Sequence, residues 1–277
     1  MKKPVVVAVI VGLILVALGA WYAFVRPPMQ GPKASVVPAA EPAPAPAAPA
    51  PASEPGIHYP LAVPPAAASA ASPAAASYVE SVLTDLFGRK SVLGMFQLDD
   101  FARRLVATVD NLGRASAPAR LWPVNPAAGR FLTEKQGAAE VIGADNGLRY
   151  TPYVLLLETV DLHQVVAAYT RLYPLFQAAY EELGYPKRYF NDRVVEVLDL
   201  LIATPESQEP VKVRLPVING PVQPPRPWVL YEFENPAWQS LSAGQKILLR
   251  TGPVNERRLK ARLAELRRLL ATGAPAR

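Results

Sequence analysis

The chain has 277 residues, 51% of them hydrophobic, with 31 prolines, no cysteine and a formal net charge of +6. The missing cysteines exclude disulfides, thiolate metal sites and cysteine nucleophiles. With His58 and His163 as the sole imidazoles, no histidine triad, zinc site or other cofactor is expected. The positive charge is local: residues 78–245 carry 16 basic and 19 acidic side chains, net −3, whereas residues 246–277 carry 9 basic and 2 acidic, net +7.

Behind a short tail of residues 1–4, residues 5–25, VVVAVIVGLILVALGAWYAFV, form an unbroken apolar run of 21. As a helix this run spans roughly 31 Å, the thickness of a bilayer's hydrocarbon, so a transmembrane helix is predicted. A cleaved signal peptide is the competing reading. Its apolar region is usually only ~7–15 residues, however, and here Trp21, Tyr22 and Phe24 continue the run as an interfacial aromatic belt. Lys2, Lys3 and the terminal amine outweigh Arg26 and Lys33 by about one charge. That bias favours a single pass through a bacterial inner membrane, N-terminus cytoplasmic and C-terminal domain periplasmic; a cytoplasmic tether is the alternative. Residues 26–77 are predicted to be a disordered linker, because 27–77 hold 14 Pro and 18 Ala in 51 positions, a composition that favours polyproline II and buries no core. Its contour, at ~3.1 Å per residue, reaches at most about 160 Å.

The folded region is expected over residues 78–272, mainly α, with a disordered tail at 273–277. In LDDFARRLVATVDNLG, Phe101, Leu105, Val109 and Leu112 recur at helical spacing and Gly113 marks the stop. Asp99 and Asp100 are read there as first-turn acids that suit the helix dipole rather than as catalytic carboxylates. Tyr150 and Tyr153, in LRYTPYVLLLE ahead of a further apolar helix, are candidates for the lining of a binding cleft, with core packing as the alternative. In VDLHQVVAAYTRLYPLFQAAYEELG, Asp161 is placed to cap, Gln164 to close a capping box, and Val160 with Val165 to form a hydrophobic staple. The same helix is expected to kink at Pro174 and to end at Gly184.

GYPKRYFND follows, residues 184–192, and reads as a tight corner into a helix whose first turn holds Pro186. Arg188 and Asp192 are spaced to pair at i,i+4, Tyr185, Tyr189 and Phe190 to pack between the two helices, and Arg193 to lie on a solvated face. Arg188, Tyr189, Asp192 and Arg193 are the candidate ligand or partner site, since aromatic and Arg side chains anchor binding surfaces. Alternation in VKVRLPVI and the run WVLYEF predict a small antiparallel β-hairpin element around Asn219-Gly220, extended by Phe131 and its neighbours. Asn235-Pro236 starts a short helix, and Ser242 with Gln245 makes a capping box. The basic charge falls on NERRLKARLAELRRLLA, whose leucines Leu259, Leu263, Leu266 and Leu270 share one face. Glu256 and Lys260 are spaced as an i,i+4 pair there, and Arg258, Lys260, Arg262, Arg267 and Arg268 are expected on a solvated face, with an acidic partner or anionic lipid as the alternative. No nucleic acid is expected, because no aromatics interleave with these arginines.

LDDFARRLVATVDNL, RLWPVNPAAGRF, RYTPYVLLLE, YTRLYPLFQAAYEELGYPKRYFNDR and LSAGQKILLRTGP resemble, in order, the successive blocks of the bacterial family catalogued as domain of unknown function 3014. The resemblance covers roughly residues 98–270 and extends to the layout of anchor and Pro/Ala-rich stalk. It implies no activity and carries over no catalytic residue. The expectation is a membrane-anchored binding or scaffold module of the envelope, with an envelope protein or peptidoglycan as partner. The alternative is an envelope hydrolase that acts on glycan or peptide through a carboxylate pair.

Overall fold

A computed structural model describes residues 56–62, 73–218 and 224–272. The apolar run at 5–25, the tail at 273–277 and most of the Pro/Ala-rich segment lie outside these residues. No helix among the described residues is long and apolar enough to cross a membrane.

The domain is mainly helical. Its helices are α1 (Pro73–Phe87), α2 (Arg89–Met95), α3 (Phe101–Leu112), α4 (Thr151–Thr159), α5 (Leu162–Glu182), α6 (Phe190–Ile202), α7 (Pro236–Gln239), α8 (Ala243–Arg250) and α9 (Pro253–Ala271). The centre is α5, which packs on α1 and α3, while α6 lies against α3, α8 and α9. Leu172, Tyr173, Phe176, Ala179 and Tyr180 of α5 are buried, and with Phe101, Val106 and Phe190 they form the largest apolar cluster among the described residues. Removing such a side chain from water is worth about 1.5–3 kcal/mol, so this cluster, not helix propensity, holds α5 in place. Leu183, the apolar residue just past the end of α5 at Glu182, is 45% exposed. A second cluster joins Val160, Val195, Leu198, Leu269 and Leu270, which seals α9 onto α6.

Several local readings hold. Asn235 Oδ1 accepts from Ala237 N–H, and Ser242 with Gln245 forms the reciprocal capping box. Asp161 caps α5, but it accepts from His163 N–H rather than from Gln164, so no box closes there. Helix α5 runs through Pro174 unbroken, and Gly184 behind it takes φ +112, a conformation that favours glycine. Asp99 and Asp100 precede α3 instead of entering it; Asp100 is the cap residue, in the left-handed region at φ 52.

Three boundaries differ from the sequence reading. Helix α1 starts at Pro73, inside the stretch expected as linker, and buries Ala75, Val79, Val82 and Leu83, since Ala supports helix as readily as polyproline flanks interrupt it. Helix α6 starts at Phe190, not at Pro186, because Gln177 holds the turn open: its Nε2 donates to Arg188 O and its Oε1 accepts from Phe190 N–H. The β element comprises two small antiparallel sheets. β3 (Val213–Arg214) pairs with β4 (Glu232–Phe233) as expected, though over two residues each. β1 (Thr133–Gln136) pairs with β2 (Ala139–Ile142) around Gly137, and a Val141–Lys212 bridge joins the two sheets.

Candidate functional site

The six sequence candidates fall in three places. Asp192 and Arg188 do not pair. The Asp192 carboxylate instead accepts the backbone N–H groups of His58 at 3.1 Å and Tyr59 at 2.8 Å, 134 and 133 positions upstream. Beside it, Tyr189 Oη accepts Leu61 N–H at 3.0 Å, and Asn191 Nδ2 donates to Tyr59 O at 2.9 Å. Residues 56–62 of the Pro/Ala-rich segment are thus clasped along the start of α6. Two of their side chains complete the hold: Leu61 packs on the first cluster and Tyr59 on the second, with Arg267 over the Tyr59 ring. Asn191 is fully buried; its side chain also accepts from Tyr169 Oη, and its N–H donates to Tyr173 Oη at 3.1 Å. Burial raises both tyrosines above their ordinary value, so the hydroxyls stay protonated and keep their hydrogen bonds.

Arg193, expected on a solvated face, turns inward. Its Nε reaches Asp110 Oδ1 at 3.2 Å, its Nη2 donates to Asp110 O, and its Nη1 meets Glu196 at 2.8 Å. Burial works against its charge, but Glu196 and Asp110 more than offset that and raise its pKa. Asp110, 5% exposed on α3, also receives Arg114 at 2.7 Å and the Tyr185 hydroxyl at 3.3 Å. Gly113 makes room for this, since a Cβ there would stand 2.8 Å from Arg193 Nη2. The corner is therefore held by a buried ion network on one side and clasps the linker on the other. Arg188 remains exposed, over the Tyr185 ring at 5.9 Å.

Tyr153 donates to Asn125 O and is raised by burial, so it serves as a tie between α4 and the loop before β1. Tyr150 lies elsewhere, on the wall of a cleft of about 610 Å³ between the β element and the start of α4. Four arginines line this cleft, Arg130, Arg149, Arg226 and Arg250, and no acidic residue does. The aromatic walls are Trp122, Phe131, Tyr150, Trp228 and Tyr231. Arg149 is spent on the carbonyls of Ala127, Ala128 and Gly129 and on Asn146 Oδ1. Arg250 donates to the carbonyls of Tyr231 and Lys246 and lies 4.6 Å over Phe233, and burial pulls its pKa below the ordinary value. Arg130 covers one face of Trp228 at 4.3 Å.

The basic helix is not an open cationic face. Arg258 pairs with Glu158, Lys260 with Glu206, and Arg267 with Asp199, while Arg262 donates to the carbonyls of Leu157 and Val160. Glu256 does not pair with Lys260. It is 2% exposed in the first turn of α9, its Oε1 has no hydrogen-bond partner, and burial pushes its pKa up to about 7. Among the described residues, no group of three or more His, Cys, Asp or Glu gathers as a metal site.

Comparison with known families gives a match over residues 101–267 to the one described as Protein of unknown function (DUF3014). The chain belongs to the DUF3014 family. The match spans more than half of the 277 residues and takes in the whole cleft, the corner and Asp110. The linker segment 56–62 and α1 precede the DUF3014 match, so the clasp joins a family domain to a stretch outside it. Comparison with curated proteins and with solved structures gives no match.

Sequence reasoning missed the linker's part in the site and most of the cleft. One signal for the first was available: Tyr59 is the sole Phe, Trp or Tyr among residues 27–77, set in IHYPL between alanine and proline tracts. The cleft had no such signal, because its arginines lie up to 120 positions apart, from Arg130 to Arg250.

Proposed function

We propose that this protein is a binding or scaffold module of the bacterial envelope, anchored in the inner membrane by residues 5–25 and displayed in the periplasm on its Pro/Ala-rich stalk. The clasp is the observation that supports this reading. Asp192, Asn191 and Tyr189 spend buried or half-buried polar groups on the main chain of the segment that leads from the stalk, which fixes where the tether leaves the domain. A main-chain carboxylate contact of this kind contributes about 1.5–3 kcal/mol per charged bond, enough to hold one geometry. A module whose faces must be presented in a set direction needs that geometry; a freely diffusing catalyst does not. The competing hydrolase reading asks for two acids across one cleft, whereas the cleft beside Tyr150 is lined by arginines and aromatics. On α9, Arg257 and Arg268 are exposed, and they are the groups an acidic partner or anionic lipid would meet.

The test is crosslinking of the anchored full-length chain in its native envelope with an amine reagent that does not cross the inner membrane. Lys90 and Lys135 are exposed targets on the domain. Labelling of these lysines together with a discrete higher-mass adduct is the expected result. Unlabelled lysines would overturn the periplasmic assignment, and labelling without any adduct would overturn the binding reading.

A further inference from the structure

The geometry of the Arg-lined cleft points to a binding site for a small ring-bearing anion, its carboxylate or phosphate groups on Arg130 and Arg226 and its flat face against the aromatic walls. The inference rests on the cleft alone and does not depend on the clasp.

Charge is the first reason. Elsewhere in the domain, several guanidinium groups are matched by carboxylates: Arg193 and Arg114 by Asp110, Arg258 by Glu158, Arg267 by Asp199. None of the four cleft arginines forms an ion pair with a described residue, and the cleft lining includes no Asp or Glu. Arg149 and Arg250 are satisfied only by neutral acceptors, so their charge is set into the cleft wall without compensation. An uncompensated, partly desolvated cation costs free energy that a bound anion offsets.

Donor supply is the second reason. The side chains of Arg130 and Arg226 are exposed and make no hydrogen bond to a described residue, so their N–H groups are available in the fork geometry that matches carboxylate and phosphate oxygens. The lining has no Asn, Gln, Asp or Glu to accept from a ligand, which selects against ligands read through their own donors. An extended peptide is disfavoured as well: Arg149 already occupies the carbonyls of residues 127–129, leaving that loop short of main-chain acceptors.

Shape is the third. About 610 Å³ falls within the range of small-molecule sites, and half-buried Trp122, Trp228, Tyr150 and Tyr231 give the apolar walls on which a sugar or a planar ring rests.

The experiment titrates the full-length chain with four probes while following tryptophan fluorescence and heat: ADP, a hyaluronan tetrasaccharide, citrate and inorganic phosphate. ADP and the tetrasaccharide separate phosphate from carboxylate as the anionic source; citrate and phosphate carry charge without a ring. The expected result is saturable binding of one ring-bearing probe with a stoichiometry of one, at least about tenfold tighter than citrate or phosphate. It should weaken at least about tenfold in Arg226→Ala and in Arg130→Ala, with the melting curve left nearly in place because both side chains are exposed and Arg130 loses only its surface contact over Trp228. No saturable binding of either ring-bearing probe would overturn the inference. So would affinity no better than that of citrate, or binding that survives both substitutions, since each reduces the site to diffuse positive charge.

Discussion

Phe190→Ala is expected to destabilise the domain by about 3–5 kcal/mol, the cost of emptying a fully enclosed ring site. Phe190 has no exposed surface, and its ring lies 5.3 Å from that of Tyr180 and 6.3 Å from that of Phe176. The cavity would open where α5 meets the first turn of α6. In a domain of this size the melting temperature falls by about 2–4 °C for each kcal/mol, so a thermal scan followed by circular dichroism reads the effect directly. A shift of less than about 3 °C would contradict the packing described. The clasp residues Tyr189, Asn191 and Asp192 flank Phe190 in sequence, so the same substitution should also loosen residues 56–62.

Glu256→Gln should act in the opposite direction, and only at neutral to alkaline pH. The folded-state pKa of Glu256 is raised to about 7, burial being the main cause, with Glu206 adding to it and Lys260 and Arg257 opposing it. A group raised in the folded state favours the fold while it is protonated; that contribution is complete below the ordinary value near 4.5 and is lost as pH climbs to about 7. Above that, the native protein carries a buried carboxylate with an unpartnered oxygen. The neutral amide avoids that cost, so at pH 8 urea unfolding should show the variant more stable by about 2–3 kcal/mol. At pH 4.5 the two proteins should unfold alike. Equal stability at both pH values would show that Glu256 is solvated or paired.

What the sequence made legible were features set by neighbours in the chain. The caps at Asn235 and Ser242 depend on residues two or three positions away, and the α5 stripe on a 3.6-residue period, so both can be read from a local window. Candidate site residues were legible as residue types but not as directions. Arg188 and Asp192 have the spacing of a helical pair, yet the turn held by Gln177 keeps Arg188 outside α6 and frees Asp192 for the linker. Arg193 looked solvated because its acid, Asp110, lies 83 positions earlier on another helix. The same holds for the basic helix, where Glu158 and Asp199 neutralise Arg258 and Arg267 from α4 and α6. Composition misled at the linker: the average over 27–77 is that of a chain with no core, but IHYPL within it carries both the apolar side chains and the free N–H groups that the corner accepts.

The reading of this protein as a module fixed to its own tether stands or falls on the clasp, and amide hydrogen exchange in the full-length chain tests it most directly. The N–H groups of His58, Tyr59 and Leu61 have their acceptors in Asp192 and Tyr189. They should exchange at least about tenfold more slowly than unprotected amides of the same sequence, in keeping with one hydrogen bond each, charge-assisted at His58 and Tyr59. Asp192→Ala should abolish the protection at His58 and Tyr59 while the amides of α6 keep theirs. Exchange of these three amides at the unprotected rate in the unmodified protein would contradict the clasp and, with it, the fixed tether.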